Sequence, residues 1–241
     1  MTNSFVVVYE GQPDFITATE LADRVLVREV DWLDESLLDS QRQWLDTDPN
    51  GRPMQWKSVG KYALEVGIRK YGHFDGRRGE PDAIAARKAI AYVRRTFDDF
   101  RVIILVRDAD NQTERLKGLE QARAEFPSDC TVLAVAIPKR ECWIICGFDP
   151  KDDNERQLLE AETEKLGTNP CLNSHDLRAG TATAKRNPKR VLAVLTGRDW
   201  ERQRQCWLNT DLAVLENRGQ NNGLADYFNE IKTHIAPLLR A

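Results

Sequence analysis

Two aspartates one residue apart, Asp108 and Asp110, are the side chains in this sequence best placed to do chemistry. They follow an apolar run, Val-Ile-Ile-Leu-Val at 102–106, that is typical of a buried strand in a parallel sheet. Ligands of open α/β sheets lie just outside the carboxyl ends of the strands, so we expect both carboxylates to project into a crevice. Two like charges held this close favour a bound cation.

A third carboxylate follows a second apolar run near the start of the chain. Phe-Val-Val-Val-Tyr leads into Glu10 and Gly11, where the glycine allows a sharp turn, and Asp14 can begin the helix that follows. If both runs are neighbouring strands of one parallel sheet, Glu10 lies beside Asp108 and Asp110. Such an all-oxygen cluster suits Mg²⁺ or Mn²⁺.

The periodicity of apolar residues predicts the elements that would position these carboxylates. Helical spacing is present over 14–27, between the two motifs over 81–97, and again over 112–126. A further apolar strand is predicted at 131–137. Strand, helix and strand joined by short connections imply right-handed parallel crossovers, so the chain is predicted to be an α/β protein with a parallel sheet flanked by helices.

The region at 30–79 breaks this pattern. Its tryptophans are scattered among turn residues, and we interpret it as an insertion or an elaborated crossover after the first strand–helix unit. The predicted core is then 1–29 and 80–150. Residues 151–241 are predicted to form a helical C-terminal extension, with one helix over 200–216 and another over 224–239. The whole chain is interpreted as a single domain.

Composition indicates a soluble protein with a buried core. The chain has 241 residues, of which 41% are hydrophobic and 30% charged. It has no secretory leader and no apolar run approaching the about 18 residues of a membrane span, so we expect no membrane association and a cytoplasmic location. The five cysteines contain no Cys-x-x-Cys pair and are expected to be reduced thiols.

The net charge of −3 does not indicate a protein that binds nucleic acid by bulk electrostatics. Basic residues nevertheless cluster locally, as at 185–190, and metal ions would cancel part of the acidic charge. A phosphodiester substrate is therefore compatible with the composition.

At its two acidic motifs the chain resembles the TOPRIM domain, the metal-binding α/β module of topoisomerases, DnaG-type primases and OLD-family nucleases. The first match is Val-Tyr-Glu-Gly-Gln-Pro-Asp at 8–14, and the second is Val-Arg-Asp-Ala-Asp at 106–110. The resemblance implies a TOPRIM-like sheet in which the carboxylates of both motifs bind metal. Asp14 would then be a supplementary ligand.

A further match follows the predicted strand at 131–137. OLD-type TOPRIM domains carry another acidic residue after the equivalent strand, and a family of uncharacterised TOPRIM-like proteins (DUF4276) has a similar Arg-Glu segment. Here that residue is Glu141, and Lys139 stands where the OLD pattern has a serine. The resemblance makes Glu141 a candidate metal ligand, whereas a solvated glutamate at a strand-to-helix boundary is the simpler alternative.

The OLD resemblance also implies a lysine that assists at the scissile phosphate. Lys185 is our candidate for that role, and Lys189 could take the same position. A basic stretch that opens a helix is also compatible with plain exposed charge. His175 lies in a segment similar to the family and is a minor candidate for a general base.

Together these residues predict metal-dependent cleavage of phosphodiester bonds. Two Mg²⁺ or Mn²⁺ ions would activate a water and stabilise the leaving oxygen. Asp108 and Asp110 would hold one ion and Glu10 would bridge or position the second. Two alternatives stay open: the aspartates could cap helices or open turns, or the motif could belong to a haloacid-dehalogenase-type phosphatase, although Gln112 stands where that family has Thr or Val.

The same resemblance suggests a partner. OLD proteins fuse an ABC-type ATPase to the TOPRIM domain, but this chain has no Gly-x-x-x-x-Gly-Lys-Ser/Thr phosphate-binding motif. The implied role is the nuclease subunit of an anti-phage defence complex, acting on DNA rather than RNA, with a separate ABC/SMC-type ATPase. The competing interpretation is a non-catalytic TOPRIM-like scaffold or regulatory subunit that binds a partner protein.

Overall fold

In the computed structural model, which describes residues 2–69 and 72–240, the chain divides into two compact units. The first unit comprises Met1–Arg107, Gln112–Val135 and Asn229–Ala241, and the second comprises Asp108–Asn111 and Ala136–Phe228. The interpretation of the chain as a single domain with an insertion and an extension stays a prediction.

The strands confirm the predicted α/β class. A four-stranded parallel sheet has the order β2-β1-β5-β6, and Val8 of β1 is paired with Leu105 of β5. A separate antiparallel hairpin consists of β3 and β4. The strands are β1 (Asn3–Val8), β2 (Arg42–Leu45), β3 (His73–Phe74), β4 (Arg77–Arg78), β5 (Val102–Asp108) and β6 (Thr131–Ala136).

Helices flank the sheet in the first unit and are the main regular elements of the second. None of the helices in the described part of the chain is long and apolar enough to cross a membrane. They are α1 (Gln12–Glu29), α2 (Leu38–Gln41), α3 (Trp56–Glu65), α4 (Ala83–Thr96), α5 (Glu114–Ala124), α6 (Arg140–Cys146), α7 (Asp153–Leu166), α8 (Pro188–Thr196), α9 (Trp200–Leu208), α10 (Leu212–Arg218), α11 (Leu224–Glu230) and α12 (Ala236–Arg240), with a π-helical turn at Ile231–Ile235.

Apolar burial explains why the first unit folds around β1 and β5. Val6 and Ile103 are paired in neighbouring strands, and both are fully buried. On α4 the buried residues Ala86, Ile90 and Val93 recur at the helical spacing that brings them to one face. The core of the first unit therefore follows directly from the apolar pattern of the sequence.

A glycine on α5 allows the chain to approach closely just before α4. A Cβ atom added at Gly118 would lie 1.9 Å from the carbonyl oxygen of Pro81, far inside van der Waals contact. Only glycine fits at this point of the helix. The segment that begins α4 is thereby positioned against α5.

The start of α1 differs from the prediction that Asp14 begins this helix. The N-cap is Gly11, whose backbone is extended, and the helix begins at Gln12. Asp14 lies in the first turn, where its carboxylate accepts a hydrogen bond from the Gly11 N–H at 2.9 Å. The prediction was wrong because proline is well accommodated in the first turn of a helix, so the helix includes Pro13.

The predicted insertion at 30–79 supplies an edge strand of the main sheet. Its strand β2 lies parallel to β1, so this part of the chain is a crossover rather than a detached segment. The Arg42 guanidinium donates to the Asp23 carboxylate at 2.7 Å, and the Trp44 indole donates to the same carboxylate at 3.0 Å. These contacts fix the edge strand on α1.

In the second unit, α6 is anchored by an aromatic stack and a buried asparagine. The rings of Trp143 and Tyr227 are nearly parallel at a centroid distance of 5.4 Å. The indole N–H of Trp143 donates to the Asn222 carbonyl at 2.8 Å, and the backbone N–H of Ile137 donates to the same oxygen at 2.8 Å. The residues just before α6 are therefore held firmly.

The cysteines are free thiols, as predicted. Burial raises the pKa of Cys146, Cys171 and Cys206 to about 12 in each case. These thiols stay protonated at neutral pH, which makes them structural residues rather than nucleophiles.

Candidate functional site

Three candidate metal ligands belong to the second unit and lie at or just after the ends of β5 and β6. They are Asp108, Asp110 and Glu141. Asp108 is the last residue of β5, and Glu141 lies in the first turn of α6. Two backbone hydrogen bonds join the segments, from Ala109 N–H to Ala136 O at 2.8 Å and from Asp110 N–H to Pro138 O at 2.9 Å. The Asp-x-Asp loop is therefore held in place by the main chain.

The loop backbone explains why acidic and amide residues occur there. Asp110 and Asn111 both have left-handed backbone conformations, with φ of 49° and 65°. Aspartate and asparagine tolerate this region better than other non-glycine residues. The Asn111 side-chain amide also donates to the Arg178 carbonyl at 2.9 Å, which ties the loop to the segment before α8.

The start of α6 supplies one cation and one backbone N–H that bind the two aspartates. The Lys139 ammonium is hydrogen-bonded to Oδ1 of Asp110, and the backbone N–H of Arg140 donates to Oδ1 of Asp108 at 2.8 Å. Burial is the largest single effect and lowers the pKa of Lys139, but its hydrogen bond to Asp110 and the nearby negative charges of Asp110, Asp108 and Glu141 together outweigh burial, so the pKa is raised. Lys139 is therefore charged at neutral pH. Sequence reasoning noted Lys139 only as a departure from the OLD pattern.

Glu141 is the most deeply buried carboxylate of this group. The residue is 8% exposed, and its Oε2 has no hydrogen-bond partner among the residues that the structure describes. Its Oε1 lies 3.8 Å from the Arg140 guanidinium and 4.0 Å from the Lys189 ammonium. A buried carboxylate oxygen without a partner is costly, so Glu141 is suited to receive a ligand.

A cationic cleft of about 650 Å³ adjoins these carboxylates through the two lysines. Arg190 on its wall is held by Glu162, with Nη1–Oε1 and Nη2–Oε2 distances of 2.9 and 2.5 Å. Lysine and arginine side chains around a concave surface favour phosphate groups. The cleft is lined by Lys139, Gly180, Ala182, Asn187, Lys189, Arg190, Ala193, Val194 and Arg198.

The structure places Lys189, rather than Lys185, beside the carboxylates. Both lysines are exposed, but Lys189 lines the cleft and lies 4.0 Å from Glu141. Lys185 does not line the cleft, and its carbonyl oxygen accepts a hydrogen bond from the Arg190 guanidinium at 2.5 Å. His175 is near Asp176, at 3.7 Å, and is not among the residues that line the cleft.

Glu10 and Asp14 lie in the first unit and have partners there. Oε1 of Glu10 is 2.5 Å from the Arg107 guanidinium, which also contacts the Asp82 carboxylate at 2.7 Å. Asp14 is hydrogen-bonded to Gly11 at the start of α1. Sequence reasoning missed Arg107, although it directly precedes Asp108. That Glu10 and Asp14 share a metal site with the second acidic motif stays a prediction.

The chemistry of the second-unit carboxylates fits a divalent cation, although the coordination shell is not preassembled. Across residues 2–69 and 72–240, no three His, Cys, Asp or Glu side chains are already placed to hold a metal ion. Asp108, Asp110 and Glu141 offer only oxygen donors, which Mg²⁺ and Mn²⁺ prefer, and one buried Glu141 oxygen is unsatisfied. A cation bound by Asp110 would have to compete with Lys139.

The structure defines an α/β protein whose second unit carries three acidic side chains and a cationic cleft. Comparison with models of known protein families, with curated proteins and with solved structures finds no match for the chain. The TOPRIM resemblance therefore stays a prediction from the motifs.

Proposed function

We propose that this chain is a divalent-metal-dependent nuclease that acts through the carboxylates of its second unit. The observation that carries the proposal is Glu141, a buried carboxylate with an unsatisfied oxygen and two cations within about 4 Å. Carboxylates that can hold a metal and cations that can hold a phosphate occur together there. That pairing is what metal-assisted hydrolysis of a phosphodiester requires.

The residues would divide the work by their chemistry. Asp108, Asp110 and Glu141 would hold the cation, which when bound supplies activation of a water and stabilisation of the leaving oxygen. Lys189 and Arg190 would bind the substrate phosphate and neutralise the charge that develops on it. Glu162 would orient the Arg190 guanidinium through their two hydrogen bonds. Glu10 is proposed as a further ligand on the strength of the TOPRIM motif alone.

The proposal is tested by incubating the purified chain with plasmid DNA and with structured RNA in the presence of Mg²⁺ or Mn²⁺. Cleavage that requires the metal and stops on addition of EDTA supports a nuclease and identifies its substrate. Calorimetric titration with Mn²⁺ measures metal binding independently. A chain that neither cleaves nor binds metal would contradict the proposal.

The two candidate lysines can be separated by parallel substitutions. We expect Lys189→Ala to lower the cleavage rate by about 100-fold, the effect of removing one donor from a developing oxyanion. Lys185→Ala should leave the rate nearly unchanged, because Lys185, which is exposed like Lys189, does not line the cleft. The reverse result, with cleavage lost only in Lys185→Ala, would support the original choice of Lys185 and contradict the role given to Lys189.

Lys139 should compete with the metal for Asp110. Since a hydrogen bond to a charged group contributes about 1.5–3 kcal/mol, we expect Lys139→Met to raise the affinity for Mn²⁺ about tenfold. Calorimetry measures this without any assay of cleavage. Lys185→Met removes an exposed lysine from the same unit and is the matched control. Weaker Mn²⁺ binding in Lys139→Met would show that the lysine supports the metal site instead.

One observation favours a second candidate function, a non-catalytic scaffold or regulatory subunit. The Lys139–Asp110 ion pair compensates the charge of an acidic residue without a metal.

A separate ABC/SMC-type ATPase partner and a role in anti-phage defence rest on the TOPRIM resemblance. Co-purification of this chain with an ATPase after co-expression tests the partnership. A complex whose behaviour is unchanged by Asp108→Ala would favour the scaffold.

A further inference from the structure

A second cleft, of about 770 Å³, lies entirely within the first unit. None of the candidate metal or phosphate ligands named above lines it. It combines one large aromatic ring, two glycines and two cationic side chains. We call it the Trp56 cleft. Its lining residues are Trp56, Gly60, Arg78, Gly79, Glu80, Pro81, Asp82, Ile84, Ala85 and Lys88.

Trp56 is held as a fixed platform in this cleft. Its indole N–H donates to the Val106 carbonyl at 2.7 Å, and its backbone N–H donates to the Tyr9 carbonyl at 3.0 Å. The Arg107 guanidinium carbon lies 5.5 Å from the ring centroid, within cation–π range. The ring is only partly buried, so a positioned aromatic surface is available to the cleft.

Gly60 keeps the space beside this ring open. It lies one turn after Trp56 on α3, and a Cβ atom added there would meet nothing within 4 Å. Glycine inside a helix costs about 1 kcal/mol relative to alanine, so this position is not explained by helix stability. Its effect is to leave room above the helix.

The charges of the Trp56 cleft favour an anionic ligand. Arg78 is exposed and Lys88 is half-buried, and neither belongs to an ion pair within the described residues. The Asp82 carboxylate, by contrast, is already paired with Arg107 at 2.7 Å and with Arg115 at 3.5 Å. Glu80 also lines the cleft and belongs to no ion pair within the described residues, so two available cations face one uncompensated carboxylate.

We propose that the Trp56 cleft binds an unpaired nucleotide of a nucleic-acid strand, with the base stacked on Trp56 and the backbone phosphates near Arg78 and Lys88. Base–aromatic stacking combined with cations along the backbone is how proteins hold single strands. A duplex hides the faces of its bases, so an unpaired nucleotide fits better. The choice of nucleic acid rests on the proposed function.

The test measures binding in EDTA, where metal-dependent cleavage cannot occur. Fluorescence anisotropy compares a labelled single strand of about 15 nucleotides with the same strand in a duplex and with free AMP. Gly60→Leu fills the cleft without altering Trp56, and Gly60→Ala is the matched control. We expect wild type and Gly60→Ala to bind the single strand equally and Gly60→Leu to bind it about tenfold more weakly, the loss of one stacked base.

Both variants are expected to fold, because alanine and leucine favour helix more than glycine does. Circular dichroism melts check this. Lys88→Gln should in addition reduce the salt dependence of binding, because one phosphate contact is lost. Equal binding by Gly60→Leu, or duplex or AMP binding as tight as that of the single strand, would overturn the inference. If no cleavage occurs but the single strand still binds and Gly60→Leu weakens that binding, the proposed function is contradicted while this inference stands.

Discussion

The double substitution Asp108→Asn/Asp110→Asn is expected to lower the rate of metal-dependent cleavage by at least about 1,000-fold while the protein stays folded. The loss follows because both carboxylates that would hold the cation are neutralised. The fold should survive because asparagine can still accept the Arg140 N–H bond at 108 and tolerates the left-handed backbone at 110. Cleavage is followed on plasmid DNA and RNA, and folding by circular dichroism.

A matched control and two further variants sharpen this test. Asp153→Asn makes the same chemical change at a side chain that is 87% exposed in the same unit, and it should leave cleavage unchanged. Glu141→Gln is expected to weaken Mn²⁺ binding as well as cleavage, because the buried carboxylate loses its charge. Glu10→Gln tests the first motif in the first unit. Cleavage that is retained in the double variant would show that Asp108 and Asp110 are not the carboxylates on which cleavage depends.

The sequence was sufficient to predict the central part of the sheet. Unbroken apolar runs identify β1, β5 and β6, because strands buried on both faces need no alternation. The edge strand β2 was missed, since its sequence Arg-Gln-Trp-Leu has no such run and is flanked by turn residues. Edge strands take their position from pairing with a neighbour, which a local pattern does not report.

Helix boundaries in the second half show a similar limit. One helix was expected over 200–216, but α9 and α10 are separated at Asn209 to Asp211, where the Asp211 carboxylate accepts the Ala213 N–H at 2.7 Å and caps α10. The Asn-Thr-Asp signal was present in the sequence and was outweighed by the apolar periodicity on both sides. A good N-cap inside a periodic stretch therefore indicates a break.

The candidate site was predictable in its acidic residues but only partly in its cations: Lys189 was named as an alternative to Lys185, and Lys139 was given no role. Asp108, Asp110 and Glu141 follow strands of one parallel sheet, so their placement in one unit follows from topology. The partners Lys139 and Lys189 depend on how far long flexible side chains reach, which no spacing rule supplies.

The largest effect on stability is expected at a buried ion pair between α7 and α9. The Arg202 guanidinium makes two hydrogen bonds of 2.8 Å to the Glu155 carboxylate, and the side chains are 7% and 8% exposed. Removing Arg202 leaves the buried Glu155 carboxylate with only the exposed Lys151 ammonium, at 3.6 Å, as a cationic partner. Arg202→Met should therefore lower the free energy of unfolding by about 3 kcal/mol. Arg156→Met, at a 60% exposed arginine on α7, is the matched control and should have little effect.

The pH dependence distinguishes loss of this charge pair from simple loss of packing. The hydrogen bonds from Arg202 lower the pKa of Glu155, against an opposing effect of burial. A carboxylate with a lowered folded-state pKa stabilises the fold above its unfolded pKa of about 4.3, and that contribution is lost as the pH falls through the folded value. The difference in unfolding free energy between wild type and Arg202→Met, measured by denaturant unfolding, should therefore be widest near pH 7 and should narrow towards about pH 4.

Combining Arg202→Met with Glu155→Leu should recover part of the lost stability, because no buried charge is then left without its partner. A gap that is independent of pH and is not reduced in the double variant would mean that Arg202 acts through its contact with the Phe148 ring at 4.7 Å rather than through charge.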